Sequence, residues 1–380
     1  MTVRLTQAPP HAVVEAVTAA LATVDDGARC TVFLADHRLD ELRPVGAGSA
    51  APAPRIEGTE HGRCFAAQQV LGGGDRPLLV PVSAHGDRLG VLEIRSGEPG
   101  EPGYPAEGGQ EGAVRALGAP LGQALLAADR VTDVYRKVRR GRSLTLSAEL
   151  QWDLLPGRSL DAGYAVVAGQ LEPAYSVVGD VYDWAADATG LTAVLVDGAG
   201  QGVEASGNAA FAVAALRNAR REGAGVADMA RMADQALHAR HRGELFSSAV
   251  LLHYDPARGA LDVVVAGAGT LLHVGRRGVR LLDLDRDPPL GAEEEYPYRA
   301  VTVPLAAGER IVVAGDGIWD AQVGGEVFGR GLAALVHSLR LLGPGEVVRA
   351  LVRELGIFHG DHPQQDDAVV LCLDTGGGTR

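Results

Sequence analysis

Four stretches of this chain set aspartates against continuous apolar runs, and that arrangement restricts the available folds more than any other feature. They are Tyr175-Ser-Val-Val-Gly-Asp180-Val-Tyr-Asp183-Trp, Leu191-Thr-Ala-Val-Leu-Val-Asp197-Gly198, Arg310-Ile-Val-Val-Ala-Gly-Asp316-Gly317, and Asp366-Asp367 opening Ala368-Val-Val-Leu-Cys-Leu373. An uninterrupted run of apolar residues reads as a strand covered on both faces, so an aspartate at its end falls at the rim of a buried layer. Neighbouring strands can gather several such carboxylates at one rim, where they repel one another. Hard divalent cations, Mg2+ or Mn2+, relieve that repulsion because they favour carboxylate, carbonyl and water ligands. Taken singly, Asp-Gly after a strand is also a hairpin turn, and Asp366-Asp367 a strand cap or solvated charge. Asp197-Gly198, however, is followed by the helix-like stretch Ala205 to Arg220 rather than a returning strand. The conjunction of all four favours a metal centre.

Bulk properties agree with a cytoplasmic globular protein. The 380 residues fit two domains, and 46% apolar with 22% charged residues is a folding composition. No apolar run reaches the roughly 18 residues needed to span a bilayer, and Met1 to Pro10 has no secretion signal. The net charge of −13 would repel a phosphate backbone, which argues against nucleic acid as a partner. Cys30, Cys64 and Cys372 are scattered, with neither disulfide nor zinc spacing and no Cys-x5-Arg loop, so a metal here is expected to take oxygen ligands. Gly198-Ala-Gly-Gln-Gly202 lacks the lysine of a phosphate loop. Gly46-Ala-Gly-Ser-Ala-Ala51 is followed by prolines where a dinucleotide site needs a helix. The histidines, including His238, His241 and His362, form no ligand pattern, and only His362 lies near Asp366.

The N-terminal part reads helix, strands, helix. Ala12 to Val24 has helical spacing closed by Asp25-Asp26-Gly27; Cys30–Ala35 and Leu42–Val45 read as paired strands. Pro77–Ser83 and Arg88–Arg95 flank a hairpin signal at His85-Gly86-Asp87, Gly97 to Gly109 is a predicted loop, and helix resumes at Glu111. This order resembles a GAF domain over residues 1–126, which implies a sensor with a small-ligand pocket. The signature of cyclic-nucleotide-binding members is absent, and a PAS-like or unrelated α+β domain is the alternative. Residues 127–157 read as a connecting helix, with Val131, Val134, Val138, Leu144, Leu150 and Leu154 as an apolar stripe. That stripe suits either pairing in a homodimer or packing on its own domain.

From about residue 148 to 375 the motif order resembles the SpoIIE/RsbU branch of the PP2C (PPM) protein-serine/threonine phosphatases, which implies a phosphatase domain over 158–376 and leaves 377–380 as a tail. The carrying motifs are Leu150-Gln-Trp-Asp-Leu-Leu-Pro156, Val178-Gly-Asp180-Val-Tyr-Asp183 and Val196-Asp197-Gly-Ala-Gly-Gln-Gly202. Ala266-Gly-Ala-Gly269, Gly315-Asp316-Gly-Ile-Trp-Asp320 and Asp366-Asp367 follow, with Phe246-Ser-Ser-Ala-Val-Leu and Pro289-Leu-Gly291 also in place. The resemblance implies an α+β protein ending in an α-β-β-α sandwich with two divalent cations, Mn2+ or Mg2+, at one edge of two antiparallel sheets. By the same resemblance Asp197 bridges both ions with the Gly198 carbonyl, Asp316 and Asp366 hold one, and Asp180 serves the other. Asp180, Asp197, Asp316 and Asp366 would then carry catalysis. Asp367 joins the metal set, though it and Asp183 are expected to stand behind the ligands. The implied substrate is a phosphoserine or phosphothreonine of an anti-anti-sigma (STAS) protein, under control of the sensor domain. Gln201, Val181 and Ala268 depart from the family's usual His, Trp and His, so a catalytically weak pseudo-phosphatase acting as a signalling scaffold is the alternative.

Overall fold

The computed structural model describes residues 5, 7–23, 27–46, 52–95, 110–141, 145–173 and 179–376. The predicted loop 97–109, the tail 377–380, Asp25-Asp26, Leu144, residues 47–51 and residues 175–178 lie outside those described. The chain divides into two compact units at 143/144, inside the stretch read as a connector.

The first unit is a five-stranded antiparallel sheet with helices on both faces. In chain order it contains α1 (Val13–Ala22), β1 (Arg29–Ala35), β2 (Leu42–Pro44), α2 (Glu60–Ala67), β3 (Leu71–Gly73), β4 (Arg76–Ala84) and β5 (Asp87–Arg95). Helices α3 (Gln110–Arg115), α4 (Gly118–Ala128) and α5 (Val134–Arg139) follow, and the strand order is β2-β1-β5-β4-β3. The predicted hairpin forms with Ala84 opposite Asp87, and His85 and Gly86 take φ of 53° and 87°, as a tight two-residue turn requires. Val32, Val80 and Leu92 face Val17, Leu21 and Leu121 of α1 and α4. On the opposite face Phe33, Leu79 and Val91 pack against Cys64 and Phe65 of α2.

A continuous connecting helix is not what forms. Among the described residues 127–157 holds the end of α4, the short α5 and, beyond it, α6 (Leu146–Leu154). Arg140 leaves the helical region, and Thr145 starts a new helix by accepting a hydrogen bond from the Ala148 amide at 3.2 Å. Tertiary packing captures α5: buried Tyr135 donates its hydroxyl to the Pro10 carbonyl at 2.9 Å and accepts from the Val13 amide at 3.1 Å. Burying such a side chain contributes roughly 2 kcal/mol, more than a six-residue helix could gain from propensity. The apolar stripe is divided accordingly. Val138 packs on the first core, Leu154 on the second, and Val131 is 72% exposed.

The second unit is the expected α-β-β-α sandwich. After α6 come β6 (Ser159–Asp161), β7 (Ala165–Glu172), β8 (Asp180–Ala186), β9 (Leu191–Gly198), α7 (Val203–Arg221) and α8 (Val226–His241). The strands β10 (Ser247–Asp255), β11 (Ala260–Ala266), β12 (Thr270–Gly275), β13 (Gly278–Leu281), β14 (Val301–Pro304) and β15 (Arg310–Ala314) follow. A helical turn α9 (Asp316–Trp319), a small hairpin β16–β17 (Gln322–Val323, Glu326–Val327), α10 (Gly329–Ser338), α11 (Pro344–His359) and β18 (Ala368–Thr375) complete it. One sheet runs β14-β11-β10-β9-β8 and the other β13-β12-β15-β18-β7-β6. Strand alternation explains the unbroken apolar runs. Ala193 and Leu195 of β9 face the other sheet, whereas Val194 and Val196 face α7 and α8. Likewise Val369 and Leu371 of β18 lie between the sheets while Val370 and Cys372 lie beneath α11. Each fully buried Val or Leu contributes roughly 1.5–3 kcal/mol, so both faces of both sheets are held.

Candidate metal centre

Strand register sets the first two carboxylates opposite each other. In the antiparallel pairing of β8 with β9, Asp180 is the partner of Asp197, and Ser248 of β10 flanks Asp197 on its other side. The Gly198 amide donates to the Gly179 carbonyl at 3.1 Å. A Cβ at Gly179 would collide with the Gly198 carbonyl, so that close backbone approach requires glycine.

The second sheet supplies the others. Where β15 ends, the Gly315 amide donates to the Val369 carbonyl of β18 at 3.0 Å, and Asp316 opens the turn α9 with its Oδ1 accepting from the Gly317 amide at 2.9 Å. A Cβ on Gly315 would lie 3.3 Å from Asp180 Oδ2, and one on Gly317 would strike the Asp367 carbonyl and sit 3.3 Å from the Asp366 Cβ. Gly315 and Gly317 therefore let the Asp316 loop close on Asp180 from one side and on Asp366 from the other.

Asp367 and Gln151 fasten this edge. The fully buried Asp367 accepts at Oδ2 from Gln151 Nε2 at 2.7 Å, from the Gly179 amide at 3.0 Å and from the Asp180 amide at 3.2 Å. Gln151 Nε2 also donates to the Asp180 carbonyl at 2.8 Å. One oxygen of Asp367 is thus committed to fixing the backbone around Asp180, a positioning task in keeping with a place behind the ligands. Gln151 was quoted in the sequence only as part of a motif; its burial was the missed signal. Asn208 was missed too. Its Nδ2 donates to the Phe246 carbonyl at 2.7 Å and lies 3.4 Å from the Ala199 carbonyl, tying α7 to the start of β10 and to the loop after Asp197.

Asp183 corrects the expectation that it stands behind a ligand. Three residues along β8 it faces the opposite way from Asp180, pairing with Arg217 at 2.7 Å and Arg220 at 2.8 Å on α7. It clamps a helix to the sheet.

Electrostatics mark the carboxylates as a coupled group. Burial pushes Asp180 well above the usual carboxylate range, and Asp197, Asp367, Asp316 and Asp366 push it further. Asp197 is raised to about 7, by burial and then by Asp316 and Asp366, with a hydrogen bond from Asp180 offsetting part of this. Asp316 is raised by burial and then by Asp366; burial also raises Asp366. Asp180 is 2% exposed and its Oδ2 has no hydrogen-bond partner among the described residues. An unpaired buried carboxylate oxygen in a cluster of like charges is what a hard cation stabilises, and an all-oxygen donor set suits Mg2+ or Mn2+ over zinc. Among the described residues no three His, Cys, Asp or Glu side chains are gathered as a ready-made ligand set. The carboxylates meet as neighbours across the rim. The residues fit divalent cations in donor type and charge. Asp180, Asp197 with the Gly198 carbonyl, Asp316 and Asp366 are the groups that would hold them.

This rim of aspartates between two antiparallel sheets defines a PP2C-type phosphatase fold. The family profile of Stage II sporulation protein E (SpoIIE) matches residues 187–376, half of the chain, and the chain belongs to that family. The match lies within the second unit, and the GAF character of the first rests on its sequence pattern. The PP2C phosphatase domain of Bacillus subtilis SpoIIE with a regulatory fragment is 20% identical at a TM-score of 0.50, over 56% of this chain and 63% of that one. The RsbU and RsbW domains of a Mycobacterium tuberculosis protein are 22% identical at 0.50, over 58% and 63%. The SiaA PP2C domain of Pseudomonas aeruginosa is 26% identical at 0.49, over 55% and 85%. This chain thus spans 63% of the length of the first two structures. No curated protein sequence matches it. Among the described residues no helix is long and apolar enough to cross a membrane.

Proposed function

We propose that the second unit is a metal-dependent protein-serine/threonine phosphatase. The observation that carries this reading is the Asp180–Asp197 cross-strand pair, closed by an Asp316 loop that approaches both Asp180 and Asp366. Bound divalent cations would neutralise charge on the phosphoryl oxygens and make water acidic enough to attack phosphorus without a covalent phospho-enzyme. The chain's own residues do the rest. Asp197, Asp316 and Asp366 would hold positive charge at the rim, and Gly179 and Gly198 allow the close backbone approach that sets Asp180 beside Asp197. The Asp367–Gln151 pair keeps the Asp180 backbone in register, so that the Asp180 carboxylate would face the cations. The test is phosphate release from p-nitrophenyl phosphate with Mn2+ for wild type and Asp197→Ala; equal rates would defeat the proposal.

The natural substrate we propose is a phosphorylated anti-anti-sigma (STAS) regulator in the cytoplasm, with the first unit controlling turnover. Support comes from the SpoIIE family and from an N-terminal α/β unit placed before the catalytic one. The matching M. tuberculosis structure comprises RsbU and RsbW domains. A chain lacking residues 1–143 that matched the full-length enzyme under every condition would remove the regulatory part. The departures at Gln201 and Ala268 favour a second reading as a pseudo-phosphatase scaffold. Calorimetric titration with Mn2+ separates the two, since a scaffold has no need to bind it.

A further inference from the structure

The first unit has a cavity of about 370 Å³ where the α2 side of its sheet is left uncovered beyond Phe33. The two strands forming its floor bring like charges together. In the β1–β5 register Arg29 lies directly opposite Arg95, Thr31 opposite Glu93, and Phe33 opposite Val91. Like charges directly opposite on one sheet face are destabilising, so such a pair at a cavity mouth calls for a compensating anion.

The acid already present does not supply it for both. Glu93 is bound at Oε1 by Arg95 Nε at 2.8 Å, and at Oε2 by Arg95 at 3.2 Å and by His61 Nε2 at 2.8 Å. Burial alone would raise Glu93, yet the hydrogen bonds from His61 and Arg95 outweigh it and bring its carboxyl to about 2, so the acid is ionised and committed. Arg29, exposed at the mouth, has no hydrogen bond or ion pair among the described residues. His61 is in turn set edge-on to the Phe33 ring at 5.2 Å, so Glu93, His61 and Phe33 form one braced wall. The prolines Pro52 and Pro54 supply apolar surface, and Thr31, two residues along β1 from Arg29 and opposite Glu93, adds a side-chain hydroxyl to the lining.

We propose that this cavity binds a small ring-bearing anion, a carboxylate or phosphate held by Arg29 and Arg95 with its flat ring against Phe33 and the two prolines. The size suits a ligand at the small end of ordinary sites, which are mostly apolar with a few placed polar groups. Guanidinium forks match planar carboxylates and phosphates, and Arg29, without an ion pair among the described residues, suits an anion even in a chain of net charge −13. The inference is independent of the phosphatase reading, because every residue it uses lies in the first unit.

Thermal unfolding of the full-length chain tests it with benzoate, indole-3-acetate, AMP and cyclic GMP, each beside a neutral counterpart (benzamide, indole-3-acetamide or the nucleoside). At least one anion should raise the wild-type midpoint by about 2 °C or more at millimolar concentration, while its neutral counterpart does not. The carboxylate and phosphate arms then tell the two head groups apart. Arg29→Gln, an exposed substitution that keeps the fold, should abolish the shift without lowering the unliganded midpoint. Silence of all four anions, equal shifts from neutral counterparts, or a shift retained in Arg29→Gln would each overturn the proposal.

Discussion

Asp180 and Asp197 sit directly opposite each other at the end of an antiparallel strand pair, Asp180 buried and Asp197 half-buried, and the carboxylates around them push both above the usual range. Such a pair is unstable as two anions, and it either keeps protons or binds cations. The centre's behaviour follows from that choice.

Stability of the metal-free protein should fall as pH rises from about 4 to about 7. Asp197 is raised in the fold, to about 7, so the native state binds more protons than the unfolded chain in that window. Stability is then fully present below the ordinary carboxylate range and lost as pH climbs through the folded value. Mn2+ should reverse the trend. Denaturant unfolding at pH 5 and pH 8, with and without Mn2+, reads both effects.

Asp180→Asn should stabilise the metal-free chain by on the order of 1 kcal/mol, because it removes the cost of keeping a buried carboxyl protonated at neutral pH while retaining its shape. The same change should abolish stabilisation by Mn2+. Thermal melts with and without the ion check the two together.

Gln151→Ala should act through Asp367. It strips one donor from the Asp367 carboxylate and one from the Asp180 carbonyl, costing about 1–3 kcal/mol. Metal affinity should weaken by roughly 10–100-fold, as for other groups that orient ligands. Gln151→Glu, which sets a second acid against Asp367, should be worse than alanine in both readouts.

Asp183→Ala should separate stability from the metal centre. Its loss leaves Arg217 and Arg220 facing each other without their acid, at roughly 3 kcal/mol. Mn2+ affinity of the folded protein should stay within about threefold of wild type, since Asp183 points to α7 rather than to the rim. An affinity loss like that of Asp180→Asn would contradict this placement.

The strands bearing the aspartates were legible because each is buried on both faces, and that burial writes itself as an unbroken apolar run. The turn at His85-Gly86 was legible for a local reason, two residues that adopt left-handed backbone between alternating strands. The break in the connector was not. Arg140 and Thr145 are ordinary residues in an apolar-striped stretch, and what separates α5 from α6 is the long-range capture of Tyr135 by Pro10 and Val13. Asp183 misled for a similar reason. Its spacing from Asp180 is plain in sequence, but the odd step along a strand that turns it to Arg217 matters only once the strand is known. Gln151 and Asn208 act by hydrogen bonds to residues far along the chain, and such contacts leave no periodic trace.

Calorimetric titration of Mn2+ into the full-length protein and its Asp197→Ala variant at pH 7.5 bears most directly on the central claim. Wild type should bind two equivalents with release of protons, seen as a dependence of the heat on buffer ionisation. The variant should lose at least one equivalent. Identical isotherms for the two proteins, or no binding by wild type, would contradict the assignment of this rim of aspartates as a metal centre.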